Sequence, residues 1–335
     1  MEIILSILGG LGLFLYAVTM LSKVLKDLLG DRTRNIVKKF VSNIFTAILT
    51  GTIVTVLLDS SSAVIILTIV LVNAKVLTFR QALGIVMGAN IGTTFSSQLI
   101  AFDIGKFSPI PIFVGLLLGF FSRNENLSKS AQALLFFGIL FFGLYTMERS
   151  VEPMRDNEVF TNLMERLNNP LRGAGMGALV TLIIQSSSAT VGIVITLAKK
   201  GLIELPGAVA VMLGAELGTC ADTLLATIRS NREALKTGLF HLGFNIISIS
   251  LGLILFPFFI KMVTSISGNA SLQQQVATSH MLFNILGVII FLPFVNYIER
   301  LLNYLLPAKL KENNFSVSKT EIYNAAPVSI TDQLK

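Results

Sequence analysis

Apolar stretches long enough to cross a bilayer recur along most of this chain, and no other feature limits its fold as much. A hydrocarbon core about 30 Å thick needs roughly 20 residues per helix. Residues 3–21, 41–74, 81–102, 131–147, 174–198, 205–228, 237–262 and 277–298 meet or approach that length, and a weaker run at 109–121 reads as a re-entrant or tilted piece. Only 13% of the residues are charged while 53% are hydrophobic, about half the charge of an ordinary soluble domain. The expected class is an all-α integral membrane protein. The first run lacks a basic start and no small-residue cleavage site stands out after Met20, so it reads as a retained helix and not as a signal.

Residues 51–102 lie over residues 177–228 at a constant offset of 126 with no gap. This register pairs Gly51-Thr52-Ile53-Val54-Thr55 with Gly177-Ala178-Leu179-Val180-Thr181, and Asp59-Ser60-Ser61-Ser62-Ala63 with Gln185-Ser186-Ser187-Ser188-Ala189. It also pairs Gly88-Ala89-Asn90-Ile91-Gly92-Thr93-Thr94 with Gly214-Ala215-Glu216-Leu217-Gly218-Thr219-Cys220. Apolar residues match by chance in any two membrane helices; three polar and glycine blocks in one gapless register do not. The chain therefore divides into a first membrane repeat at 1–147, a second at 148–305 and a polar C-terminal tail at 306–335.

The segments preceding the two serine triplets differ in charge. Residues 23–41 hold six basic residues against two acids, a net of +4, whereas residues 148–172 hold four arginines against five acids, a net of −1. Opposite bias in equivalent loops is what two oppositely oriented repeats show under the positive-inside rule, with the first loop cytoplasmic. The overall charge of +7 reads as such a loop bias, and no nucleic-acid partner is expected. A single cysteine, Cys220, excludes an internal disulfide and a cysteine-based zinc site.

Each repeat carries a long apolar run broken in its middle by a polar residue and three serines. An unsatisfied polar group in hydrocarbon costs several kcal/mol, so these clusters must face protein, an ion or a water-filled cavity. Residues 41–74 are too long for one straight span, which predicts two helical pieces meeting at the triplet. At such a break, free amides and hydroxyls can donate to an anion, while carbonyl and hydroxyl oxygens can ligate a small cation. Close helix packing through small residues would explain one isolated triplet. It does not explain a duplicated triplet followed at fixed distance by a Gly-Ala-x-x-Gly-Thr block.

A serine triplet in both halves, each followed by that glycine block, resembles the type II sodium-dependent phosphate cotransporter family, and its bacterial branch in particular. His241-Leu242-Gly243-Phe244-Asn245 and His280-Met281-Leu282-Phe283-Asn284 are similar to H-x-x-F-N patterns of its later helices. The resemblance covers about residues 10–300. It implies two inverted-topology repeats whose broken or re-entrant helices meet at a central site, and sodium-coupled inorganic phosphate symport by alternating access. It further implies a multi-pass protein of the bacterial plasma membrane that is not an enzyme and has no catalytic residues. It would use no cofactor, with sodium as the coupling ion, and its partners would be phosphate, sodium, the lipid bilayer and a second copy in a homodimer. By position, Ser60, Ser61, Ser62, Ser186, Ser187 and Ser188 would contact phosphate. Gln185, Thr190, Asn90, Thr93, Thr94, Thr219, Asp59 and Glu216 would ligate sodium. His241 and His280 read chiefly as ties between helices.

The sequence departs from the family pattern at Asp59 in a glutamine slot, Glu216 in an asparagine slot and Cys220 in a threonine slot. Two acids lining one cavity would repel an anion unless a cation or proton offsets them, which leaves a proton-coupled or other-anion transporter, or an anion channel, as the alternative. An intramembrane hydrolase would need a base beside a serine. Only His241 and His280 qualify, and both lie outside the repeated blocks.

Overall fold

The computed structural model describes residues 2–307 except 103 and 229, without the side chains of 31, 32, 34 and 38. The expected tail thus lies, from residue 308 onward, outside the described residues. Every regular element among them is helical: α1 (Glu2–Phe40), α2 (Ile44–Leu58), α3 (Ser61–Asn73), α4 (Phe79–Ala101), α5 (Pro109–Phe121), α6 (Glu125–Val151), α7 (Glu158–Arg166), α8 (Pro170–Ile184), α9 (Ser187–Lys199), α10 (Leu205–Gly218), α11 (Cys220–Leu225), α12 (Arg232–Ile254), α13 (Phe256–Ser267), α14 (Leu272–Phe291) and α15 (Val295–Leu305). Five spans are long and apolar enough to cross a membrane, or six if α4 and the bent continuation through α5 count as one. The first apolar run ends at Leu21 in sequence, yet the helix continues to Phe40 with its backbone broken at Gly30, φ 44°. The run 237–262 is two helices, because Pro257 removes a backbone donor and starts α13.

The duplication reaches beyond the aligned blocks into backbone detail. Asn43 and Asn169 cap α2 and α8, Ser60 and Ser186 cap α3 and α9, and Thr78 and Glu204 occupy the cap positions of α4 and α10, each pair 126 apart. In each half the helix before the triplet packs along the helix carrying the glycine block, α2 on α4 and α8 on α10. The glycines make that approach feasible. A Cβ on Gly92 would stand 2.6 Å from the Thr55 Cβ, and one on Gly218 would stand 2.6 Å from the Thr181 Cβ. Gly88 and Gly214 lie directly against the carbonyl oxygens of Ile48 and Ala174. Helix α1 covers α6 and touches α2, while α14 packs on α4 of one half and α9 of the other.

The segment 148–155 is fastened to the end of α9. Glu148 pairs with Lys199 at 2.5 Å and Lys200 at 3.2 Å, and Arg155 donates to the Lys200 carbonyl at 2.9 Å. Part of the charge contrast between the loops is therefore neutralised inside the protein, which weakens it as an orientation signal.

Candidate functional site

Both serine triplets sit at a helix break of the same construction. Asp59 ends α2 in the left-handed region, φ 50°, and Gln185 ends α8 at φ 60°. A non-glycine residue there is uncommon, so two at equivalent positions mark a built feature. The next residue is extended and caps the following helix: Ser60 Oγ accepts from the Ala63 amide and Ser186 Oγ from the Ala189 amide, both at 3.2 Å. Only one first-turn amide of each helix is used in this way. The other first-turn donors of α3 and α9 have no intrahelical partner, and the positive end of each helix dipole faces the break.

Each break contributes one residue to a cavity of about 340 Å³, while Ser60, Ser61, Ser62, Ser186 and Ser187, expected to contact phosphate, do not line it. Asp59 of the first half and Ser188 of the second half both line it, with Ser96 of α4, and the remaining wall is apolar, supplied by α1, α2, α4 and α6. Asp59 accepts a hydrogen bond from Ser96. Behind the break, Ser22 of α1 donates to the Leu58 carbonyl at 3.2 Å, satisfying an acceptor that the end of α2 would otherwise orphan. Ser61 and Ser187 open their helices and are buried. Thr93, Thr94 and Thr219 donate to carbonyls of their own helices, those of Ala89, Ile91 and Ala215, at 3.0, 2.7 and 3.3 Å. Thr190 accepts from Thr181 at 2.7 Å and donates to the Ser186 carbonyl at 3.2 Å. Gln185 has an exposed side chain with no hydrogen-bond partner among the described residues.

A second buried polar layer joins the halves through α12 and α14. His280 stands between them: its Nδ1 is 2.6 Å from Ser97 Oγ of α4, and its Nε2 is 2.6 Å from Glu216 Oε1 of α10. His241 meets Thr223 Oγ1 at 2.8 Å. Thr223 is the residue 126 beyond Ser97, so the two histidines receive equivalent hydroxyls. Asn90 donates to Asn245 at 3.3 Å, and Asn245 in turn donates to Cys220 Sγ at 3.1 Å. Both histidines thus tie helices together, as expected from sequence.

The two acids do not share a cavity. Asp59 lines the one described above and Glu216 does not, because it is directed at His280. The reason lies in the register: Asp59 corresponds to Gln185 and Glu216 to Asn90, so pseudo-symmetry never places them opposite one another. Ser97, His280 and Glu216 stand in the order of a nucleophile, base and acid. All three are at most 3% exposed and none lines the cavity, so no substrate reaches the hydroxyl and the geometry is that of a strut. Sequence reasoning missed Ser96, Ser97, Asp222 and Thr223. The signal was available, since two consecutive polar residues follow the glycine block in both halves at the same offset.

The family model described as Na+/Pi-cotransporter matches twice, over residues 13–149 and 145–291. YqeW of Bacillus subtilis (strain 168) is 28% identical over 310 residues, 92% of this chain and 100% of that protein. A protein of Escherichia coli (strain K12) named for inorganic phosphate export, YjbB, is 26% identical over 89% of this chain; the match spans 54% of YjbB, about half its length. Sodium-dependent phosphate transport protein 2A of Rattus norvegicus is 27% identical over 48% of this chain and 23% of its own length. No solved structure matches the chain.

Proposed function

The chain belongs to the Na+/Pi-cotransporter family, and from that premise we propose that it carries inorganic phosphate across the bacterial plasma membrane by sodium-coupled symport. The observation that carries this reading is the single cavity reached by both helix breaks, with Asp59 from one half and Ser188 from the other. A phosphate dianion there would meet the hydroxyls of Ser96 and Ser188, but it would also meet the Asp59 carboxylate. Two like charges a few ångströms apart in a weakly polarisable wall repel by several kcal/mol at an effective dielectric near 20. A cation bound between them removes that repulsion, so the site favours an anion only together with a cation. This charge balance supports coupling of phosphate to a cation, for which the family name favours sodium, and two halves inverted about the membrane midplane would expose the cavity to each side in turn.

The relative named for phosphate export favours a second reading of direction. Symport is reversible, and the sign of net flux follows the combined gradients. The test is radiolabelled phosphate movement in proteoliposomes, with an inward, an outward and no sodium gradient, and with sulfate as competitor. Saturable flux that follows the sodium gradient and resists sulfate is the expected result. Flux that persists unchanged without sodium rejects the coupling, and no flux in either direction rejects phosphate as substrate.

A further inference from the structure

The two halves make one pair of equivalent positions differently. In the first half, Asp59 at the helix break is bonded to Ser96 of α4. The residues 126 further on are Gln185 and Asp222. The acid has moved across the pair: one half holds a carboxylate at the break and a hydroxyl on the neighbouring helix, the other an amide at the break and a carboxylate on the neighbouring helix. Both combinations provide one donor and one acceptor. The second pair is nevertheless open. Gln185 is exposed, Asp222 is partly exposed, and neither side chain has a partner among the described residues.

The backbone explains why. Helix α4 runs without interruption from Phe79 to Ala101 and so delivers Ser96 to the break. In its counterpart the helix is interrupted at Thr219 between α10 and α11, three residues before Asp222, although the backbone there stays right-handed helical and Leu205–Leu225 forms one span. Beyond that interruption α11 packs on α12 and α3, held by the Thr223–His241 hydrogen bond, while α10 alone follows α8. The two halves share a chain pattern and a break geometry, yet one is latched and the other is not.

We infer that Gln185 and Asp222 form a second latch, the counterpart of Asp59–Ser96, which closes when the first one opens. Asp222 is then a positioning residue of the transport cycle. It would draw α11 onto the second break in the state where α4 has left the first. The inference rests on the transport reading above, since two halves that exchange conformations are one way to expose a central cavity to alternate sides.

The test uses the full chain in proteoliposomes with Cys220→Thr, which removes the single native cysteine. One protein carries Asp59→Cys with Ser96→Cys, the other Gln185→Cys with Asp222→Cys, and disulfide formation is read by mass spectrometry. Both pairs are expected to cross-link, and sodium with phosphate should shift their yields in opposite directions by about fivefold or more, the low end of typical coupling between sites. A 185–222 pair that never cross-links while 59–96 does overturns the inference, as do yields that move together. If neither pair cross-links, the contact from which the inference starts is lost and it falls. A second measurement needs no cysteines. Asp222→Ala should abolish flux at unchanged protein yield, and Gln185→Asp with Asp222→Ser, which installs the first half's pair in the second, should restore it. A merely structural acid is not rescued by that exchange. If both cross-links form but wild-type vesicles move no phosphate, the substrate assignment fails and the latch stands.

Discussion

His280→Leu tests the strut between the halves. The substitution places an apolar side chain of similar bulk at a position with no exposure, and it removes two hydrogen bonds of 2.6 Å. Glu216, 3% exposed, then has no partner for its carboxyl group among the described residues. Stripping one member from a buried, hydrogen-bonded pair costs about 3–5 kcal/mol, most of it the stranded group's lost solvation. The single hydrogen bond to Ser97 adds about 0.6 kcal/mol, the mean for side-chain bonds in a membrane protein. For a chain of this size such a loss lowers the unfolding midpoint by roughly 5–10 °C. Cys220 supplies the assay, being the sole cysteine and buried. A thiol-reactive fluorophore in detergent reports its exposure on heating. Adding Glu216→Leu to His280→Leu removes the stranded carboxyl and should recover more than half of the loss. A single variant melting within about 1 °C of wild type, or a double variant no better than the single, refutes the reasoning, since non-additivity is the mark of a direct contact.

Ser61→Ala and Ser187→Ala should each reduce phosphate flux by about tenfold or more, a loss near 1.4 kcal/mol, at unchanged melting; wild-type flux in both removes the triplets from the site. Gly88→Val and Gly214→Val drive a side chain into the carbonyls of Ile48 and Ala174 and should prevent stable expression, whereas Gly175→Ala, with open space around its Cβ, should express normally. Single cysteines replacing Phe40 and Glu158, in the Cys220→Thr background, should label from opposite faces of the membrane if the halves are inverted, and from the same face if they are parallel. Asp59→Gln should keep flux but weaken its sodium dependence, read as a raised half-saturating sodium concentration; an unchanged sodium curve sinks the cation role of Asp59.

The helix breaks were legible because both signals are local. A serine triplet inside an apolar run cannot face lipid, and a glycine block must sit where two backbones meet. The offset of 126 then predicted caps and contacts that no single half would reveal. What stayed hidden is long-range. Nothing near Asp59 in sequence announces Ser96, and nothing near Glu216 announces His280, 64 residues away. Treating the two acids as neighbours assumed that pseudo-symmetry joins any two motif positions, when it joins only equivalent ones. Length was misread at α1 for a different reason: charge ends an apolar run but not a helix, and residues 22–40 continue α1 outside the hydropathy signal.

Hydrogen bonding divides the hydroxyls around the breaks and glycine blocks into two kinds, although none of the five concerned lines the cavity itself. A seryl or threonyl hydroxyl has one proton to give and two lone pairs to offer. Ser60 and Ser186 use a lone pair on the amides of Ala63 and Ala189, so their protons stay free for an acceptor, which is what phosphate oxygens are. Thr93, Thr94 and Thr219 use their protons on carbonyls of their own helices. Their protons are spent on those carbonyls, and only lone pairs remain. Such a group repels an anion's oxygens and suits a cation. The caps at the breaks therefore keep the donor chemistry that a phosphate would need, and the threonines of the glycine blocks keep the acceptor chemistry that a sodium ion would need. Packing of α2 on α4 and of α8 on α10 joins the two sets within each half. On the proposed reading, binding of either ion would order groups adjacent to the other's ligands, which adds to the charge balance at Asp59 as a source of coupling.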